Sequence, residues 1–316
     1  MQPIVLRNDR SKSSSARENE QCGSDFVQKQ HALPLCFSAQ TDAGKLCASL
    51  DGDSDRIVYF LPHSDGSIAL IDGDRIAALF ARFVQNNFCS LPFDALHENE
   101  SDCDLLSSAV IQTAYANAGS TAYLWHVLGL HVEWVPTGVK HLHSAAEQYD
   151  IGIYFEANGH GTCHFSRRLS EKLQRASERY PSAQALKALE ETLNPAVGDA
   201  LAVMLAVEGI RAVEGIGAAE WLELYSERAS VQRKVECLQA RSIRTEHAET
   251  RVVSHPELQS AIDDAVSRVR QGRAFVRPSG TEPVVRVYAE AIEAAEAEWL
   301  ARLVSESVKH YLKEEG

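Results

Sequence analysis

Residues 50–56 read LDGDSDR, with aspartates at 51, 53 and 55 directly ahead of Arg56. Carboxylates at i, i+2 and i+4 of a loop can turn their oxygens toward one hard cation, since Mg2+ and Ca2+ both take oxygen ligands. A calcium loop of the EF-hand kind is excluded by the positions that follow. It wants glycine sixth, where Arg56 stands, and glutamate twelfth, where Pro62 stands, and its flanks are helices rather than strands. An arginine behind three carboxylates suits a metal beside a phosphate, with the guanidinium reaching an anionic oxygen. The competing reading is a solvated acidic turn. Three like charges converging without a cation would be costly, which favours the metal.

Residues 274–289, AFVRPSGTEPVVRVYA, form a second candidate. A strand carries Arg277 to its end, Pro278 stops the ladder, and Ser279, Gly280 and Thr281 precede a strand bearing Arg286. Two arginines, two hydroxyls and successive backbone N–H groups make an anion nest suited to a phosphate monoester. It is no P-loop, because the GK[ST] ending and the helix straight after it are missing. The alternative is a hairpin turn that is merely polar.

Two further segments offer polar groups at strand ends. In residues 132–143, VEWVPTGVKHLH, Thr137 and Gly138 end a strand. Lys140 follows into a loop, as a general acid or base or as a cation for phosphate. In residues 153–165, IYFEANGHGTCHF, Glu156 and Asn158 project from a strand end into a glycine-rich turn. Open α/β sheets place ligand groups there, and a carboxylate beside an amide suits neighbouring sugar hydroxyls. His141, His143, His160 and His164 follow no zinc spacing and read as surface or packing residues.

These loops need elements to hold them. Strands are expected at 46–50 and 56–61, with a turn at 63–66, then a helix over 74–88 capped by Asp72 or Asp74. Strands at 108–113, 131–136 and 151–156 alternate with helices at 120–128 and 144–149, which marks an α/β layer with a largely parallel sheet. Helical patterns at 170–193 and 198–213 follow. Beyond residue 230, helix 256–271, strands 273–277 and 284–290 and a closing helix to 311 describe a small α+β domain. The expected fold class is therefore α/β: a layered mixed or parallel-sheet domain, preceded by a partial α/β domain and followed by a small α+β C-terminal domain. The expected divisions are a flexible, serine-rich segment 1–24, a part carrying the metal loop at 25–71, a sugar-binding domain at 72–229 and a phosphate-binding domain at 230–316.

The chain's 44 acidic residues against 31 basic ones leave it at −13. Such a charge disfavours nucleic acid or an anionic membrane as the main partner. No run approaches the roughly 20 apolar residues of a membrane span, and the polar N-terminus has no secretory core. Seven scattered cysteines, never spaced as CxxC, point to reduced thiols in a cytosolic setting.

DGDSDR (51–56), TGVKHLH (137–143), FEANGHGT (155–162) and RPSGTEPVVRVYAEA (277–291), taken in this order, resemble the α-D-phosphohexomutase superfamily, and within it the phosphoacetylglucosamine mutase branch. The first and last are shared across the superfamily; the middle two look like the N-acetylglucosamine branch. The similarity runs from about residue 22 to 311. The resemblance implies that Asp51, Asp53 and Asp55 bind Mg2+ and that Arg56 sits beside the transferring phosphoryl group. It implies that Glu156, Ala157 and Asn158 contact sugar hydroxyls, and that Arg277, Pro278, Ser279, Gly280, Thr281 and Arg286 hold phosphate. The implied reaction interconverts N-acetylglucosamine 6-phosphate and 1-phosphate on the way to UDP-N-acetylglucosamine, by way of an enzyme phosphoserine and a bisphosphate. Such chemistry rests on positioning and charge neutralisation.

The family's phosphoserine segment, of Ser-His-Asn-Pro type, has no counterpart among these 316 residues. Ser254-His255-Pro256 is its one echo and reads instead as a helix start, with Ser254 as cap. The expectation is a chain matching the later part of the family. By itself it is expected to show no mutase turnover; the alternative reading is a non-catalytic phosphosugar-binding or interaction fragment.

Overall fold

Strand and helix alternate along the chain, as the hydrophobic periodicity requires. The computed structural model describes residues 21–35, 37–96, 106–195 and 198–312; most of the N-terminal segment expected to be flexible, with Cys36 and Cys103, lies outside them. In order come α1 (Ser24–Gln30), α2 (Ala39–Asp42), β1 (Cys47–Leu50), β2 (Ile57–Pro62), β3 (Ile68–Ile71), α3 (Gly73–Cys89) and α4 (Phe93–Leu96). Next are β4 (Ser108–Thr113), α5 (Ala118–Ala122) with a π-helical turn at Tyr123–Val127, β5 (His131–Val135), α6 (Val139–Ala146), β6 (Ile151–Phe155) and β7 (Gly161–Phe165). Helices α7 (Arg167–Ala176), α8 (Pro181–Thr192), α9 (Ala200–Glu214) and α10 (Ala218–Leu222) follow. The chain closes with β8 (Ala229–Glu236), β9 (Thr245–Glu246), β10 (Arg251–Val252), α11 (Pro256–Ser267), β11 (Arg273–Pro278), β12 (Val284–Ala291) and α12 (Ala294–Tyr311).

Two compact units result. The first takes the described residues up to 111 with 122–132 and 143–225, and the second takes 112–121, 133–142 and 226 onward. In the first, β1, β2 and β3 form an antiparallel meander in which Leu50 pairs with Ile57 at the mouth of the aspartate loop. Strand β6 is parallel to β4 and antiparallel to β7 within a sheet of order β5-β4-β6-β7. That sheet is mixed, because the Asn158–Gly159 turn leads into β7, a strand not among those expected from the sequence. All of β6 is buried, and α3 lays Ile76, Leu79, Phe80 and Phe83 against the core at helical spacing. Phe80 and Phe155 meet edge to face at 5.3 Å.

Several expected boundaries move for local reasons. The single pattern 170–193 breaks into α7 and α8, since Pro181 cannot donate within a helix and instead occupies a first-turn position. The pattern 198–213 begins at Ala200, where Asp199 accepts from the N–H groups of Leu201 and Ala202, and ends at left-handed Gly215. The helix expected at 144–149 is α6, five residues earlier, so Lys140 lies in a helix's first turn rather than in a loop. The helix expected at 120–128 is a short α5 plus one π-helical turn. Ser254 does not cap α11; His255 stands at the cap, and the Ser254 hydroxyl accepts from the Arg244 N–H.

Asp150 anchors the entrance of β6. Its carboxylate accepts from Ser107 N–H at 2.9 Å, Ser166 Oγ at 2.6 Å and Arg168 Nε at 3.2 Å. Burial opposes its charge, but Arg168, Ser166 and Ser107 outweigh that and hold its pKa below the usual value. A depressed native-state pKa gives stability that is present above the unfolded value of about 3.9 and lost as pH falls through the native one. Asp150→Asn is therefore expected to lower the urea midpoint at pH 7. The gap between variant and wild type should narrow as pH drops below about 4.

In the second unit, β11, β12 and β8 form an antiparallel sheet of order β11-β12-β8. Alternate residues divide its faces. Val285, Val287 and Ala289 lie in one core with Leu258 and Ile262 of α11 and Leu300, Val304 and Val308 of α12. The opposite face carries three transverse rows read from the register: Arg277–Arg286–Lys234, Phe275–Tyr288–Gln232 and Arg273–Glu290–Ser230. Residues 114–118 are fastened to it. Arg273 donates to the carbonyls of Ala114 at 2.9 Å and Ala116 at 2.7 Å, while buried Glu290 accepts from Ala118 N–H at 2.8 Å. Tyr115, Phe275 and Tyr288 pack as an aromatic cluster between them.

Candidate active site

The aspartate loop is closed by its own first residue. Asp51 Oδ1 accepts from the N–H groups of Asp55 and Arg56, both at 3.1 Å, and Ser54 takes a left-handed φ of 60° at the turn. One oxygen from each of Asp51, Asp53 and Asp55 lies within 4.8 Å of the others, the one such cluster of His, Cys, Asp or Glu among the described residues. Asp55 Oδ1 is buried and, among the described residues, accepts no hydrogen bond, with Arg56 Nε the cation beside it at 3.3 Å. Three hard oxygen ligands on one small loop fit a divalent cation of the Mg2+ type.

Arg56 is already held. Its Nε lies 3.3 Å from Asp55 Oδ1 and 3.5 Å from Asp51 Oδ2, and its Nη1 donates to Asp25 of α1 at 3.2 Å. Partial burial works against its charge, yet Asp25, Asp55 and Asp51 together raise its pKa. Asp25 entered no reading of the sequence, because nothing local links it to a loop 31 residues away.

The glutamate–asparagine turn packs beside this loop in the same unit. Ile57 N–H donates to Gly159 O at 3.4 Å, and His160 Nδ1 lies 3.1 Å from Asp55 Oδ2. Gly159 has φ +87°, and a Cβ there would stand 1.8 Å from Ile57 O. A Cβ on Gly73 would stand 1.8 Å from Glu156 O, so the start of α3 is pressed onto the turn, and Gly73 N–H donates to Ala157 O at 3.3 Å. Glu156 Oε2 accepts from the Asn158 amide at 3.4 Å, and Asn158 Oδ1 accepts from His160 N–H at 3.0 Å. Ala200 N–H donates to Ser54 O at 2.9 Å, which fixes the start of α9 on the aspartate loop as well.

The phosphate candidate belongs to the second unit. Arg277 and Arg286 are paired directly across β11 and β12, with Lys234 next in the row. Like charges in direct register are destabilising unless anions intervene. Glu282 serves Lys234 at 2.9 Å and Arg286 at 3.3 Å, and Glu249 serves Arg277 at 3.4 Å. Pro278 still pairs with Val285, and Ser279, buried, donates its N–H to Val284 O at 2.9 Å. Gly280 and Thr281 are exposed at the tip. Thr137 N–H donates to Glu249 at 2.8 Å, Gly138 adopts φ +125° and its carbonyl receives His141 N–H, and Lys140 is exposed on α6.

Asp51, Asp53, Asp55, Arg56, Glu156, Ala157 and Asn158 thus gather in one unit. Thr137, Gly138, Lys140, Arg277, Pro278, Ser279, Gly280, Thr281 and Arg286 gather in the other. Residues 72–216 match the family described as phosphoacetylglucosamine mutase AMG1, domain III. Residues 240–307 match the phosphoglucomutase/phosphomannomutase C-terminal domain. The phosphoacetylglucosamine mutase of Arabidopsis thaliana is 45% identical over 307 residues, covering 93% of this chain and 54% of that protein. The chain carries domain III of phosphoacetylglucosamine mutase together with a phosphohexomutase C-terminal domain. The Homo sapiens member is 42% identical over 310 residues, covering 96% of this chain and 54% of its own. A crystal structure of Aspergillus fumigatus N-acetylphosphoglucosamine mutase in complex with GlcNAc-6P and magnesium superposes with a TM-score of 0.85 at 40% identity, over 93% of this chain and 54% of that one. The chain spans about half the length of the curated relatives it matches.

Set in a phosphoacetylglucosamine mutase fold, three residues stand beside the candidate groups without having been singled out: Tyr115, Lys234 and Glu249. Lys234 was findable, since β8 alternates an exposed polar face with a packed one. Tyr115 and Glu249 reach Arg277 from 162 and 28 residues away, and no local pattern announces them. Cys22, Cys89, Cys163 and Cys237 are free thiols, and among the described residues no helix is long and apolar enough to cross a membrane.

Proposed function

We propose that this chain handles metal, sugar and phosphate for a phosphoacetylglucosamine mutase, which interconverts N-acetylglucosamine 6-phosphate and N-acetylglucosamine 1-phosphate in a cytoplasmic setting. The observation that carries this reading is the convergence of one oxygen each from Asp51, Asp53 and Asp55 beside the Glu156–Asn158 turn. The division that accompanies it is a metal-loop part at 25–71, a sugar-binding domain at 72–229 and a phosphate-binding domain at 230–316.

Each residue then has a part. Asp51, Asp53 and Asp55 hold Mg2+, which supplies positive charge at the transferring phosphoryl group when bound. Arg56, oriented by Asp25, shares that neutralisation. Glu156 and Asn158 orient the sugar through its hydroxyls, with Ala157 shaping the turn between them. Arg277, Ser279, Gly280, Thr281 and Arg286, with Pro278 and the Thr137–Gly138 corner, grip the phosphate that is not being transferred. Lys140 serves as general acid or base. Exact placement of both phosphates is what lets such a site work without covalent chemistry beyond phosphoryl exchange.

Isothermal titration of the purified chain with Mg2+ and with N-acetylglucosamine 6-phosphate tests the assignment, beside a coupled turnover assay. Both ligands are expected to bind, and Asp53→Asn is expected to weaken Mg2+ at least tenfold, because one of three anionic ligands is lost. Unchanged Mg2+ affinity in that variant, or no heat with the phosphosugar, overturns the reading. Phosphosugar binding without turnover makes the chain a binding piece that depends on a phosphoryl donor supplied by other residues.

A further inference from the structure

Glu249 sits where chain geometry is least comfortable. It closes the turn between β9 and β10, and three consecutive non-glycine residues there, His247, Ala248 and Glu249, have φ of 52°, 54° and 68°. Side chains carry a steric penalty in the left-handed region, and turns of this kind ordinarily place glycine or asparagine in it. Strain that persists over three residues invites the question of what the turn delivers.

It delivers one carboxylate with two clients. Oε1 lies 3.4 Å from Arg277 Nη1, and Oε2 accepts from Thr137 N–H at 2.8 Å. Arg277 is fixed on its other side as well: Nε donates to the Tyr115 hydroxyl at 3.0 Å, and the guanidinium lies over the Tyr115 ring at 5.4 Å. Those contacts take Nε and one Nη1 proton. Among the described residues Nη2 has no partner, so an edge of the fork stays available for two parallel bonds to an anion. Glu249 also offsets the repulsion that Arg286, directly across the ladder, exerts on Arg277.

We propose that Glu249 is the positioning residue of the phosphate grip. It holds Arg277 ready for a phosphate monoester and ties that arginine to the Thr137–Gly138 corner through the same carboxylate. The proposal rests on the reading of Arg277 as a phosphate ligand. An arginine fixed in advance loses less freedom on binding than one that must be ordered by its ligand. The cost of holding the arginine is met by the strained turn before any ligand arrives.

The test uses the full chain and two variants. Glu249→Gln keeps shape and removes charge; Glu249→Asp keeps charge and withdraws it by one methylene. Both are expected to bind N-acetylglucosamine 6-phosphate about tenfold more weakly, in the range of one charge-assisted hydrogen bond. In an Arg277→Ala background, Glu249→Gln should add clearly less than its full loss, since the part that passes through Arg277 is already gone and only the Thr137 contact remains. The Arg277 Nε–H resonance should be sharp and slowly exchanging in the wild type and lost to exchange in both variants. Equal or tighter phosphosugar binding in the variants overturns the proposal, as does a full additive loss in the Arg277→Ala background. A wild type that binds no phosphosugar while its Nε–H signal depends on Glu249 retires the phosphate role of Arg277 and leaves the positioning contact standing. An Nε–H signal indifferent to Glu249 retires the positioning contact itself.

Discussion

Glu290→Ala is expected to cost about 3–5 kcal/mol, the range for breaking a buried ion pair from one side. Glu290 is 0% exposed, and Arg273 meets it at 2.9 Å through Nε and 2.8 Å through Nη2. Its other oxygen takes the Ala118 N–H, so truncation strands a guanidinium and a backbone donor together. Arg273 then loses the acceptor that aims it at the Ala114 and Ala116 carbonyls, and residues 114–118 lose their fastening. The melting temperature of the transition that reports the second unit should fall by on the order of 15 °C. Differential scanning calorimetry reads this directly; a shift of only a few degrees would show that the aromatic cluster around Tyr115 holds the segment unaided.

The second large effect is expected at Gly159. Alanine there meets Ile57 O at 1.8 Å and must adopt φ near +87°, so the backbone of the turn or of β2 has to move. Left-handed strain of about 1–2 kcal/mol adds to an overpacking cost of about 1–3 kcal/mol. Because Ile57 follows the aspartate loop closely and Gly159 O receives its N–H, the displacement falls on the proposed metal ligands. Gly159→Ala is expected to melt lower and to take up Mg2+ weakly even where it is folded. Gly66→Ala, at another left-handed turn but with open space around the added carbon, separates the clash from the conformational strain. Equal Mg2+ uptake in the two variants would refute the close approach as the cause.

Candidate loops stood out in this sequence more sharply than the boundaries of the elements that hold them. DGDSDR and RPSGTE are loops whose candidate residues are near neighbours in the chain, so residue type and spacing bring them forward, and the strands beside them follow from alternation. Helix ends were legible where one residue decides, as with Asp72 capping α3, and were misjudged where two signals overlap, as at Pro181. The Asn158–Gly159 turn was visible, but its consequence, β7, depends on pairing with β6 and not on its own five residues. Residues 112–121 belong to the second unit because of Arg273 and Glu290, which are more than 150 positions away. Asp25 and Glu249 escape for the same reason: each is chosen by an arginine it meets only after folding.

The transverse row Arg277–Arg286–Lys234 draws its three cations from three strands, and only their alignment sets them side by side. Side chains alternate at every step along β8, so deleting one residue ahead of Lys234 would swing its ammonium under the helices. Every basic residue would still be present, and composition would hardly change. The electrostatic character of this face is thus stored in the bookkeeping of backbone pairing, and a frame of one residue is enough to erase it.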